Sequence, residues 1–179
     1  MTSYIALLRG INVGGNKMVS MAALRAALTE MGFQDVRTLL QSGNVVLRST
    51  AKASGKLETE LEQAIAKQLG VTADFHVRTA AEFKAVMDAN PFRAEATSDP
   101  SHLLVTFYRT PLDPAKVKAF QAAITGRELV RASGRHLYMT FPDGIGTSKA
   151  VVIMDKMLAA RGTSRNWNTI SKLAAMACP

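Results

Sequence analysis

The chain has 179 residues, of which 47% are hydrophobic, so it is long enough to bury a core in one medium-sized domain or two small ones. It carries 22 Lys and Arg against 14 Asp and Glu, and the resulting net charge of +8 favours an anionic partner. The longest apolar runs, such as Tyr4 to Leu8, are far shorter than the roughly 20 residues that span a bilayer, so no membrane helix is predicted.

The amino-terminal segment and the cysteine content both bear on the cellular compartment. The chain starts with a strand-like sequence and lacks the basic segment, apolar core and cleavage site of a signal peptide. Cys178 is the only cysteine, so it has no partner for an internal disulfide and no neighbouring cysteine to help bind a metal ion. We therefore expect a cytoplasmic protein without a metal site.

The first half of the chain predicts the order β-α-β-β-α-β. Ser20 is suited to cap a helix that Gly32 ends, and apolar residues recur every four positions from Leu57 to Leu69. A Ser42-Gly43-Asn44 turn joins two β-prone segments as a hairpin. The predicted elements are a strand at 4–9, a helix at 21–31, strands at 36–40 and 45–48, a helix at 52–69 and a strand at 74–78. This order is typical of the ferredoxin-like, or split βαβ, arrangement.

The pattern restarts after a linking helix that begins at Thr79 and ends before Asn90-Pro91-Phe92. The predicted elements of the second half are a strand at 102–109, a helix opened by Asp113-Pro114, a hairpin of 129–132 with 137–141, and helices from Ser148 and near Asn166. The sequence thus predicts an α+β protein of two tandem ferredoxin-like subdomains with antiparallel sheets. We assign them to 1–79 and 102–179, with 80–101 as the link.

This topology places two polar loops together. In a split βαβ unit the first two strands run parallel, so the loops that follow them emerge at the same end of the sheet. We therefore expect the loop from Arg9 to Lys17 to lie beside the turn from Gln41 to Asn44. By the same rule, Thr110-Pro111 should lie beside residues 133–135 in the second half.

Three segments are distinctive when taken together: residues 4–15 (YIALLRGINVGG), Arg37-Thr38 with residues 41–46 (QSGNVV), and residues 163–169 (TSRNWNT) with Lys172-Leu173. With these segments the chain resembles the domain of unknown function 1697 family over essentially its whole length. The resemblance implies two α+β subdomains in tandem. It implies no particular reaction.

The candidate ligand-binding residues form three groups that supply charge, amide groups, backbone access and one aromatic ring. They are Arg9, Asn12, Gly14, Gly15 and Lys17 in the first loop, Gln41, Ser42 and Asn44 in the turn, and Arg165, Asn166, Trp167 and Asn168 near the carboxyl end. Each group also has a purely structural interpretation. The glycines would serve turns while Asn12 caps backbone groups, the hairpin turn needs only Gly43 and Asn44, and Trp167 would pack in the core while Asn166 caps a helix.

No pattern in the sequence identifies a reaction. The residues after Gly15 are Asn16-Lys17-Met18 rather than the Lys and Ser or Thr of a Walker loop, which argues against nucleotide hydrolysis. The three histidines are scattered, and no serine lies in a nucleophile motif.

The leading hypothesis is a binding module that holds an anionic ligand, nucleic acid or nucleotide-like, between the two subdomains. A small enzyme acting on a phosphorylated or carboxylated metabolite, with Lys17, Lys149 or Arg165 stabilising negative charge, stays open as an alternative. A protein-interaction scaffold is a third possibility. No cofactor is indicated.

Overall fold

A computed structural model describes residues 1–12, 18–50 and 54–177. Within these residues the chain has eight strands and seven helices. The elements of the first half are β1 (Thr2–Arg9), α1 (Met21–Glu30), β2 (Gln34–Leu39), β3 (Asn44–Ser49), α2 (Ser54–Leu69), β4 (Asp74–Thr79) and α3 (Ala80–Asp88). Those that follow are α4 (Arg93–Ser98), β5 (Leu103–Phe107), α5 (Pro114–Ala123), β6 (Val130–Ser133), β7 (His136–Thr140), α6 (Lys149–Leu158), β8 (Thr163–Asn166) and α7 (Trp167–Ala177).

The strands form two four-stranded sheets, with the order β2-β3-β1-β4 in the first and β6-β7-β5-β8 in the second. All neighbouring strands are antiparallel. The predicted α+β class with antiparallel sheets is therefore confirmed. The predicted start of the second helix at Lys52 lies outside the described residues.

The chain divides into two compact units. The first consists of Met1–Ala85 together with the chain from Lys172 onward, and the second of Val86–Ser171. In the first unit, Arg37 of β2 donates a hydrogen bond from Nη2 to the carbonyl oxygen of Met176 at 2.6 Å. This contact ties the last turn of α7 to the first sheet.

Each unit has its own apolar core between one sheet and its helices. In the first unit every second residue of β1 points into that core, which also takes the apolar stripes of α1 and α2; its members include Tyr4, Ala6, Leu8, Leu24, Leu28, Val45, Leu47, Leu57, Leu61, Ile65, Phe75 and Val77. In the second unit the corresponding core includes Tyr108, Val117, Phe120, Val130, Leu137, Met139, Phe141 and Leu158. The period-two and period-four patterns of the sequence thus mark the sides that face these cores.

The two sheets repeat one local geometry around a buried arginine. Arg78 of β4 and Arg165 of β8 each stand opposite the middle of the first strand of their sheet. Both are at most 9% exposed, and each donates from Nη1 to the carbonyl oxygen of its preceding residue at 2.8 Å. The next residue, Thr79 or Asn166, accepts a hydrogen bond from a backbone N–H of the helix that follows.

Candidate functional site

The loop after β1 and the turn after β2 meet at one end of the first sheet, as predicted. Asn12 connects them, because its Nδ2 donates to the carbonyl oxygens of Gln41 at 2.7 Å and of Val19 at 2.9 Å. Its Oδ1 accepts from the Val19 backbone N–H at 2.7 Å. The left-handed backbone at Asn12, with φ +53°, is one that asparagine tolerates well. The Asn12 amide therefore binds backbone groups, which supports its structural interpretation.

The turn itself is held by its glycine and its second asparagine. Gly43 has φ +76°, and a Cβ atom there would lie 2.7 Å from Leu8 Cβ and from Ile11 Cδ1. Asn44 is fully buried, and its Nδ2 donates to the Leu39 carbonyl oxygen and to Ser42 Oγ, both at 2.9 Å. The expectation that Asn44 contacts a ligand has to be corrected, because its side chain has no exposed surface and stabilises the turn.

A groove of about 620 Å³ opens beside this turn, at the start of α1. Its lining, which defines the Arg25 groove, comprises Met18, Val19, Ser20, Met21, Ala22, Arg25 and Gln41. The Ser20 hydroxyl accepts from the Ala23 backbone N–H at 3.4 Å and so begins the helix. Exposed side chains thus surround the amino terminus of a ten-residue helix.

Two polar side chains of the groove are available to a ligand. Arg25 is exposed and donates from Nη1 to Thr38 Oγ1 at 2.6 Å, a contact that orients the guanidinium from the neighbouring strand. Its remaining N–H groups have no hydrogen-bond partner among the described residues. The side chain of Gln41 is also exposed, while its backbone carbonyl is held by Asn12.

The charges around the Arg25 groove favour an anion. Among the described residues, its lining contains a guanidinium and no carboxylate, and the first turn of α1 holds no acidic residue. The backbone N–H groups at a helix amino terminus carry partial positive charge, so they add to the field of Arg25. A carboxylate or phosphate group would find several donors converging on this end of the sheet.

Of the other predicted residues of the first unit that the structure describes, Arg9 and Ser42 do not line the groove. Arg9 is partly buried at the end of β1, where it pairs in register with Asp74. Ser42 is exposed next to Gln41, and its Oγ accepts from Asn44. Gly14, Gly15 and Lys17 lie outside the described residues, so their roles stay predictions.

The third predicted group belongs to the second unit, and its members have structural contacts. Arg165 donates from Nη1 to Thr163 Oγ1 at 2.8 Å, and burial lowers its pKa to about 10, which leaves it charged at neutral pH. Asn166 Oδ1 accepts from the Thr169 backbone N–H at 3.0 Å, and the Trp167 backbone N–H donates to the Pro100 carbonyl oxygen at 3.0 Å. The structural interpretation of Arg165 and Asn166 is therefore favoured. Trp167 is half-buried and Asn168 is exposed.

The second unit has a groove at the corresponding place. The Lys118 groove has a volume of about 330 Å³ and is lined by Pro111, Leu112, Pro114, Val117, Lys118, Gln121, Arg131, Ala132 and Gly134. The predicted pairing of its two loops is confirmed, because the Leu112 backbone N–H donates to the Gly134 carbonyl oxygen at 3.1 Å. Lys118 follows its helix cap by five residues, as Arg25 does. However, the cap is Asp113, whose Oδ1 accepts from the Ala115 N–H at 2.8 Å, so a carboxylate already occupies this helix terminus.

A third cavity, of about 230 Å³, lies at the start of α6 in the second unit. Here Ser148 donates a short hydrogen bond from Oγ to Glu128 Oε1 and accepts from the Ala150 backbone N–H at 3.2 Å. Glu128 Oε2 is buried and has no hydrogen-bond partner among the described residues. The pair begins the helix, and Glu128 does not line the Arg25 groove.

Arg25 is the charged residue of the groove lining that the sequence analysis missed. Its position in the second turn of an amphipathic helix is that of an ordinary solvated charge, and only the packing of α1 beside β2 brings it near Gln41. Across the described ranges, no cluster of three or more His, Cys, Asp and Glu side chains is arranged to hold a metal ion. Over the same ranges, no helix is long and apolar enough to cross a membrane.

The molecule is thus an α+β protein with two antiparallel sheets and a cationic groove at the end of the first. A family model described as protein of unknown function (DUF1697) matches residues 1–138, and the chain belongs to this family. Among solved structures, the chain is similar to the conserved bacterial protein SP0830 from Streptococcus pneumoniae, with 26% identity and a TM-score of 0.76. The alignment covers 100% of this chain and 99% of that one. No curated protein matches the sequence.

Proposed function

We propose that this protein binds a phosphate-bearing, nucleotide-like ligand in the Arg25 groove. The observation that carries the proposal is the exposed guanidinium of Arg25, which lies beside the amino terminus of α1 in a groove whose described lining has no carboxylate. Guanidinium groups and helix amino termini both recognise phosphate oxygens through several N–H donors at once. The exposed amide of Gln41 would bond a polar edge of the ligand.

The size of the groove favours a small ligand over a nucleic acid duplex. Pockets for small molecules and cofactors measure about 300–1,000 Å³, and the groove holds about 620 Å³. The net charge of +8 would attract any polyanion, so nucleic acid stays an alternative that the binding experiment addresses. A cytoplasmic location, expected from the sequence, is part of the same proposal.

The scaffold of this site, in our proposal, is the first of two ferredoxin-like subdomains that arose by duplication. Three features support it: the order β-α-β-β-α-β occurs twice, the two sheets have the same strand order, and a buried arginine recurs at the same register position. The Lys118 groove also provides a matched control for substitution of Arg25.

The enzyme and scaffold hypotheses have less support. An enzyme would need a general base near the bound ligand, and within the part of the chain that the structure describes the lining of the Arg25 groove contains neither a carboxylate nor a histidine. A scaffold would need a contiguous exposed apolar patch, whereas isolated exposed apolar side chains are common on protein surfaces.

The proposal is tested by equilibrium binding of fluorescently labelled adenosine monophosphate to purified variants. Arg25→Ala should weaken binding about tenfold or more, because a hydrogen bond to a charged group contributes about 1.5–3 kcal/mol. Gln41→Ala should weaken it about threefold to tenfold, as expected for a neutral hydrogen bond.

Lys118→Ala is the matched control, since it removes the same charge from the corresponding place in the second unit. The affinity of Lys118→Ala for adenosine monophosphate should stay within about twofold of the wild-type value. A loss of affinity specific to Arg25→Ala therefore cannot come from net charge alone. Equal losses in the two variants, or tight binding of oligonucleotides with no binding of the mononucleotide, would contradict the proposed site.

A further inference from the structure

A large exposed apolar side chain lines the Arg25 groove, and a second one directly precedes Gln41 in the chain. Met18 is 71% exposed and lines the groove, and Leu40, the residue before Gln41, is 57% exposed. Apart from the terminal Met1, these are the exposed large apolar side chains of the first unit within the described residues. The exposed apolar surface of Met18 lies within the groove lining, where a bound ligand would cover it.

Leu40 is also held in an unfavourable backbone conformation. Its φ of +60° lies in the left-handed region, where the Cβ atom of an ordinary residue clashes with the backbone. Glycine or asparagine would adopt this conformation more readily, and Gly43 does so three residues later at φ +76°. Strain of this kind is found preferentially where a side chain has a functional role.

We infer that Met18 and Leu40 form an apolar contact for the base of the bound nucleotide, so that the groove selects base-bearing phosphates over phosphosugars. This inference rests on the proposed function and adds the part of the ligand that Arg25 and Gln41 do not explain. A purine is planar and largely apolar on its faces. A methionine thioether packs well against aromatic rings, and the leucine next to Gln41 in the chain adds branched apolar surface.

Each of these side chains would contact a different part of the nucleotide. Arg25 and the start of α1 would hold the phosphate, the Gln41 amide would bond the polar edge of the base, and Met18 with Leu40 would remove its faces from water. Loss of the apolar pair should therefore reduce affinity only for ligands that carry a base.

The test compares adenosine monophosphate with ribose 5-phosphate by isothermal titration calorimetry. Wild-type protein should bind adenosine monophosphate at least about tenfold more tightly, because only that ligand buries apolar surface on Met18 and Leu40. Leu40→Asn keeps a side chain that tolerates the left-handed backbone, and Met18→Gln keeps the side-chain length. Each substitution should lower the affinity for adenosine monophosphate about fivefold and leave the affinity for ribose 5-phosphate unchanged.

Leu129→Asn is the matched control, since Leu129 is 49% exposed in the second unit, and it should change neither affinity. Equal wild-type affinities for the two ligands would overturn the inference and leave the phosphate site intact, as would Leu40→Asn and Met18→Gln proteins that bind adenosine monophosphate normally. Binding of neither ligand would overturn the proposed function itself, and the inference with it. Urea unfolding of each variant separates these outcomes from loss of the fold.

Discussion

At the scale of single residues, both the backbone conformation at Gly43 and the side chains around it favour glycine at this position. Its φ of +76° is unfavourable for other residues, and an added Cβ would lie 2.7 Å from Leu8 Cβ and from Ile11 Cδ1. Contacts that short have to be relieved by movement of the core beneath the turn. The position of Gln41 therefore depends on the absence of a side chain two residues later.

We predict that Gly43→Ala lowers the free energy of unfolding by about 2–4 kcal/mol, of which about 1–2 kcal/mol is the left-handed backbone and the rest is overpacking. Gly134→Ala is the matched control, because Gly134 has φ +55° in the corresponding turn and no atom within 4 Å of its Cβ position. Gly134→Ala should lower the free energy of unfolding only by the contribution of the left-handed backbone, about 1–2 kcal/mol. Urea unfolding of both proteins measures the difference, and equal losses would show that the contacts with Leu8 and Ile11 are unimportant.

The sequence predicted part of the groove, because topology alone places the loop after β1 beside the Gln41 turn. It could not separate the three polar side chains of that region. Gln41 faces solvent, Asn12 binds backbone groups and Asn44 is buried, yet all three are amides within two residues of a glycine in the sequence. Which amide is satisfied internally depends on tertiary hydrogen bonds. Arg25 was missed for the same reason.

At the scale of elements, the strand and helix patterns predicted nearly all of the fold, with two exceptions. β8 was not predicted, because its sequence TSRN is short and polar, and it becomes a strand only by pairing with β5. α4 was not predicted either; it covers six residues within the expected link and has no side-chain cap. Short elements lack the repeated apolar pattern on which sequence arguments depend.

The end of α7 depends on a residue far away in the sequence. Arg37 donates to the Met176 carbonyl oxygen, one of the last carbonyl groups of that helix, where a positive charge also interacts favourably with the helix dipole. We predict that Arg37→Ala lowers the free energy of local opening there by about 1 kcal/mol, since the bond is partly exposed to water. Hydrogen exchange of the amides of residues 174–177 should then be about fivefold faster.

Arg48→Ala serves as the control for this element. Arg48 carries the same charge on the adjacent strand and forms an exposed ion pair with Asp35 at 3.4 Å, which should contribute close to nothing to stability. Exchange at the end of α7 should be unaffected by this change. Faster exchange in both variants would mean that the positive charge of the sheet, rather than the hydrogen bond to Met176, holds the helix end.

At the scale of the whole molecule, two similar sheets differ at the groove that each one carries. Arg25 accompanies a neutral cap, Ser20, whereas Lys118 accompanies the carboxylate cap Asp113. An anion would thus meet a helix terminus with a neutral cap in the first unit and a negatively charged cap in the second. We therefore expect a single ligand site, although the pattern of elements occurs twice.

The measurement that tests this account most directly is a nuclear magnetic resonance titration of ¹⁵N-labelled protein with adenosine monophosphate. The account predicts saturable shifts of the backbone amides of residues 18–25 and 40–42, with small changes around Lys118. Shifts confined to the second unit, or none at millimolar ligand, would contradict a nucleotide site in the Arg25 groove.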